Sequence, residues 1–78
     1  MSKPVHKIRD GLLTANIWAN EMTDKGVFYS VTFERSYKDG EEWKSTNSYS
    51  NGDILKMARL AEKAYDKIRD LRNGEEQS

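Results

Sequence analysis

The sequence predicts an α+β domain in which a four-stranded antiparallel sheet is followed by one long C-terminal helix (ββββα). Three observations carry that expectation. Asp10-Gly11 and Asp39-Gly40 each interrupt an alternating run, as tight hairpin turns do. Between Val5 and Tyr49 apolar and polar residues alternate with the period of a strand. After Ser50 the apolar spacing changes to three and four and keeps that rhythm to Leu71.

The first strand is Val5-His6-Lys7-Ile8-Arg9, ending at Asp10-Gly11, where both residues tolerate a positive φ. The second runs from about Leu12 to Glu21, with Leu13, Ala15, Ile17 and Ala19 on one face and Thr14, Asn16, Trp18 and Asn20 on the other. Met22-Thr23-Asp24-Lys25-Gly26 reads as a polar loop. The third strand spans 27–35. Its odd positions Val27, Tyr29, Val31 and Phe33 belong to the core, and Phe28, Ser30, Thr32 and Glu34 match the polar face of the second. After the turn at Asp39-Gly40 a weaker strand runs from about Glu42 to Tyr49 as a polar edge, with Trp43 expected to clasp Tyr37 across the hairpin.

Ser50 with Asp53 three residues on forms a capping pair, and the helix is expected from about Gly52 to Leu71. Ile54, Met57, Ala58, Ala61, Ala64, Tyr65, Ile68 and Leu71 form one expected apolar stripe, widened by Leu55 and Leu60. Asn73-Gly74 supplies residues that stop helices, and 73–78 is expected to be a flexible tail beyond an ordered core of about 4–72.

At 78 residues the chain is a single domain, 1–78, near the lower limit for a self-sufficient core, so a homodimer is expected. No cysteine is present, which fits the reducing cytoplasm and removes disulfides and thiolate metal sites. No apolar run approaches the ~20 residues of a membrane span, and no apolar signal region follows Met1-Ser2-Lys3-Pro4. A lone His6 without clustered carboxylates marks neither a metal centre nor a general base, and the glycines are scattered at turns. The expectation is therefore a protein that is not an enzyme and uses no cofactor or metal.

One sheet face must be buried, yet the other carries Trp18 and Phe28 among Thr, Ser and Asn. That composition suits a flat ligand, and single-stranded DNA or RNA is the commonest one. Trp18 and Phe28 are the candidate stacking platforms, Asn16 and Asn20 the candidate hydrogen-bonding groups, and Lys7, Arg9, Arg35 and Lys44 the candidate phosphate contacts. Thirteen Lys and Arg balance thirteen Asp and Glu, and residues 1–45 hold seven of each sign, so a positive patch has to be made by folding. Zero net charge supports the alternative, a protein–protein interaction module without nucleic-acid binding.

Two segments resemble a group of small uncharacterised bacterial proteins of about this length. One is Lys7-Ile8-Arg9-Asp10-Gly11 followed by Ala15-Asn16-Ile17-Trp18-Ala19-Asn20. The other is Phe28-Tyr29-Ser30-Val31-Thr32-Phe33 followed by Arg35-Ser36-Tyr37-Lys38-Asp39-Gly40 and Trp43-Lys44. The architecture is similar to the single-stranded-DNA-binding domain of the positive cofactor four family, and more loosely to the Whirly proteins. That resemblance implies dimerisation and binding of single strands on curved sheets. The chain departs from positive cofactor four ahead of the helix, where Trp43-Lys44-Ser45-Thr46-Asn47-Ser48 replaces a basic signature.

Overall fold

A computed structural model describes residues 3–22 and 26–77, with side chains described except at 21, 22 and 74–77. Four strands, β1 (His6–Asp10), β2 (Leu13–Met22), β3 (Gly26–Asp39) and β4 (Glu42–Thr46), form one antiparallel meander in the order β1-β2-β3-β4, followed by helix α1 (Asn51–Gln77). This is the ββββα arrangement read from the sequence.

Both tight turns sit one residue later than expected. Asp10 pairs with Leu13 and Asp39 with Glu42, so the turn residues are Gly11-Leu12 and Gly40-Glu41. Gly11 has φ 62° and Gly40 φ 66°, while among the described residues no residue type other than glycine has positive φ. A positive φ confined to the first central residue matches the right-handed twist of the hairpin and selects glycine there. Leu12 is left 44 % exposed in the turn. Met22 pairs with Gly26, so both ends of the expected polar loop belong to strands, and 23–25 lie outside the described residues.

The core lies between β2 and α1. Leu13, Ala15 and Ile17 are buried from the sheet side, and Leu60 and Ala64 from the helix side. Ile8, Tyr29, Val31, Phe33, Tyr49, Met57, Ile68 and Leu71 pack around them, half-buried. With one sheet and one helix as its layers, the molecule is thin, 47 × 28 × 15 Å.

The helix departs from expectation in two ways. It runs through Asn73-Gly74 to Gln77 rather than stopping near Leu71. Such a pair stops a helix when one residue turns left-handed; the chain instead stays helical into Glu75-Glu76-Gln77, which are good helix formers. Its apolar surface is also two stripes rather than one. Met57, Leu60, Ala64, Ile68 and Leu71 face the sheet, whereas Ile54, Ala58, Ala61 and Tyr65 are exposed. At 100° per residue these rows lie about a quarter-turn apart, too wide an arc for one sheet to cover. Leu60, expected only to widen the stripe, is its most buried large side chain, and Leu55 is 67 % exposed.

The helix N-terminus is fixed as its sequence indicated. Asp53 Oδ2 accepts from Ser50 N at 3.1 Å and from Ser50 Oγ at 2.9 Å, and Asp53 N donates to Ser50 O at 2.9 Å. Here the acid closes the capping box from the third helical position.

Candidate functional site

Strand register determines which side chains share the face opposite the helix. Lys7, Asn16 and Thr32 form one cross-strand row, and Arg9, Thr14 and Glu34 the next. Trp18 pairs with Ser30 and Asn20 with Phe28. Towards β4 the same face continues through Ser36 opposite Ser45 and Lys38 opposite Trp43. α1 packs across β2 and β1 on the other side, so this face is not covered by the helix.

Polar side chains on the face hold one another in place. Trp18 Nε1 donates to Thr32 Oγ1 at 2.8 Å, which ties the half-buried indole down against the sheet. Asn20 Nδ2 donates to Ser30 Oγ at 3.2 Å and to the Phe28 carbonyl at 3.4 Å. Phe28 is 56 % exposed and Trp43 63 %, with Lys38 Nζ 6.0 Å from the Trp43 ring centroid. That distance is the outer range of a cation–π contact.

The centre of the face is more enclosed than its rim. Thr14 and Asn16 are 5 % and 7 % exposed although no helix covers them; Arg9 and Glu34 flank Thr14 in its row, and Lys7 and Thr32 flank Asn16. Asn16 Nδ2 donates to Glu34 Oε1 at 3.3 Å, and Asn16 Oδ1 is buried with no hydrogen-bond partner among the described residues. Beside them is a cavity of about 220 Å³ lined by Lys7, Arg9, Thr14, Glu34 and Ser36.

Six of the sequence-predicted site residues are thus brought together on one face: Lys7, Arg9, Asn16, Trp18, Asn20 and Phe28. Arg35 and Lys44 are not among them, because their strand positions turn them to the helix side. Arg35 Nε lies 2.9 Å from Asp53 Oδ2 and joins β3 to the helix cap, while Lys44 Nζ lies 3.0 Å from Asp39 Oδ2 within its own hairpin. The Asp53 carboxyl is held below its ordinary range, first by the Ser50 hydroxyl and backbone N–H, then by the Arg35 and Lys56 charges, against some desolvation. The Tyr49 hydroxyl is pushed up by burial and then by the negative charge of Glu34.

The expected Trp43–Tyr37 clasp does not form, because the two-residue turn sets Trp43 opposite Lys38 and Tyr37 opposite Lys44, on opposite faces. Lys38 and Trp43 therefore join the candidate face although sequence reasoning left them out of it. Counting back from Gly40 as the first turn residue would have given that parity. His6 sits half-buried on the helix side opposite Ile17. Among the described residues no group of three or more His, Asp or Glu is placed to hold a metal ion. No helix among the described residues is long and apolar enough to cross a membrane.

The chain matches no protein-family model, no curated protein and no solved structure.

Proposed function

We propose that the protein is a non-catalytic single-stranded nucleic-acid-binding domain that uses the sheet face opposite the helix. The observation that supports this most is one of placement. Trp18, Phe28 and Trp43 share an uncovered face with Asn16, Asn20, Ser30 and Thr32 and with the cations Lys7, Arg9 and Lys38. Three cations stand there against one carboxylate, Glu34, and among the described residues none of the three is in an ion pair. The chain as a whole is neutral, so the face carries a local excess of positive charge. Flat rings bind bases without regard to sequence, and unpaired cations meet phosphates.

The test is a fluorescence-anisotropy titration of a labelled homothymidine strand of about 15 nucleotides. Three phosphate contacts give a log–log salt slope of about −2, or roughly a twenty-fold loss of affinity from about 50 to about 200 mM salt. Saturable binding with that slope supports the reading. No binding at tens of micromolar overturns it and turns attention to a polypeptide partner on the same face.

The domain acts as a homodimer in this proposal, with the second copy seated on the outer helix row. Ile54 and Tyr65 are each more than half exposed there, and the row continues through Ala58 and Ala61. The chain exposes 6214 Å². A compact 9.0 kDa monomer exposes about 4,900 Å². The excess of roughly 1,300 Å² exceeds the ~800 Å² that each partner contributes to a standard interface. Pairing through the helices leaves both sheet faces open. Light scattering should give the dimer mass for the wild type and the monomer mass for Ile54→Lys with Tyr65→Lys; a monomeric wild type refutes the pairing.

A further inference from the structure

Resting on the nucleic-acid reading, we propose that the cavity between β1 and β3 is the seat of a guanine base, read by Glu34 with Lys7 and Arg9. The seat is floored by Thr14, which pairs with Arg9 on one side and Glu34 on the other, two rows along β2 from Trp18. Arg9 and Glu34 therefore stand two strand spacings apart, about 10 Å, with β2 between them. Two cations and one carboxylate line this space, and none of them forms an ion pair among the described residues. Charges that surround a cavity without neutralising one another fit a ligand that carries donors on one side and acceptors on the other.

Base chemistry selects among the four candidates. An ionised carboxylate only accepts, and its two oxygens match two parallel N–H groups. On the Watson–Crick edge guanine alone presents two adjacent donors, N1–H and the 2-amino group. Adenine and cytosine set one donor beside a lone pair that faces the carboxylate, and thymine sets its single donor between two carbonyls. Guanine O6 and N7 are in turn acceptors, which Lys or Arg can bind together.

The interior of the site is prepared for such a partner. Glu34 spends one oxygen on a long 3.3 Å bond from Asn16 Nδ2, an interaction that orients the carboxylate while leaving acceptor capacity. Asn16 Oδ1 has no partner among the described residues, although the residue is only 7 % exposed. A buried acceptor left unsatisfied is costly, and this one stands in the row next to the cavity, on the residue that bonds Glu34.

The test compares homothymidine strands of about 15 nucleotides that carry guanine, inosine, cytosine or only thymine at the centre, by competition against a labelled strand. Guanine should tighten binding about ten-fold over thymine, and inosine, which lacks the 2-amino group, should lose most of that gain. Glu34→Gln, which removes the one carboxylate on the face, should bind the homothymidine strand at least as tightly as the wild type and show no guanine preference over it, with circular dichroism confirming the fold. Equal binding of all strands by the wild type overturns the guanine seat and leaves the nucleic-acid reading standing. A guanine preference that survives in Glu34→Gln overturns Glu34 as the reader. Failure of every strand to bind overturns the underlying reading and the seat with it.

Discussion

Replacing Trp18 with alanine separates a binding role from a structural one, because the two roles differ in magnitude. Trp18 is half-buried on the face away from the core, and its one directional contact is the 2.8 Å bond to Thr32 in an exposed setting. Losing that bond and part of the ring's burial costs about 1–2 kcal/mol of stability. A 78-residue domain has roughly 4–12 kcal/mol in hand, so the variant stays folded at room temperature. Loss of one stacked base, by contrast, costs about 1–3 kcal/mol of binding, a factor of roughly 5 to 150 in affinity. Trp18→Phe keeps a ring and loses only the N–H donor, so it should stay within a few-fold of wild type. The assay is the homothymidine titration run alongside thermal melts and light scattering on all three proteins. Wild-type affinity in a folded Trp18→Ala variant refutes the stacking role. A variant that melts or monomerises before binding is lost shows that the residue is structural.

Other consequences are open to direct measurement. Leu60 is 1 % exposed in a core of few large side chains, so Leu60→Ala should cost about 3 kcal/mol and lower Tm by more than about ten degrees in a calorimetric scan. The Asp53 pKa is lowered on folding, so its contribution is present above the ordinary aspartate pKa and fades as pH falls through the folded value. Thermal melts between neutral pH and about pH 3 should therefore show a smaller acid-induced drop in Asp53→Asn than in wild type. Gly40→Ala meets no atom within 4 Å but forces alanine to φ 66°, which should cost about 1 kcal/mol by denaturant titration through backbone strain alone.

The architecture was legible because each element announced itself locally. Asp-Gly pairs flanked by alternating runs locate the hairpins, and Ser50 with Asp53 locates the helix start. What was not legible depended on counting across space. Asp-Gly does not say which residue opens the turn, and a shift of one residue decides whether Trp43 meets Tyr37 or Lys38. Helical periodicity reports apolar residues without reporting how wide a partner they meet. Ile54 and Tyr65 are as apolar as Met57 and Ile68, and only the narrowness of β1 and β2 beneath the helix leaves them outside. Arg35 looked like a ligand-binding cation because charge is visible in sequence while strand parity against a distant Asp53 is not. The six face residues were recoverable since their parity within β1, β2 and the first half of β3 follows from the core residues between them.

Beyond Arg35, which is tied to the helix cap, the end of β3 and β4 form a two-stranded ribbon, and Glu42, Trp43, Lys44 and Ser45 are all exposed. Two-stranded ribbons have little stability of their own. Amide hydrogen exchange should therefore be graded along the molecule, slowest in the middle of β2, where neighbours lie on both edges and the helix above, and fastest in Glu42–Thr46. A long ligand lying across the sheet would meet two kinds of ring: an indole at Trp18 anchored over the rigid centre, and one at Trp43 carried on a compliant arm that bends to follow the ligand's path.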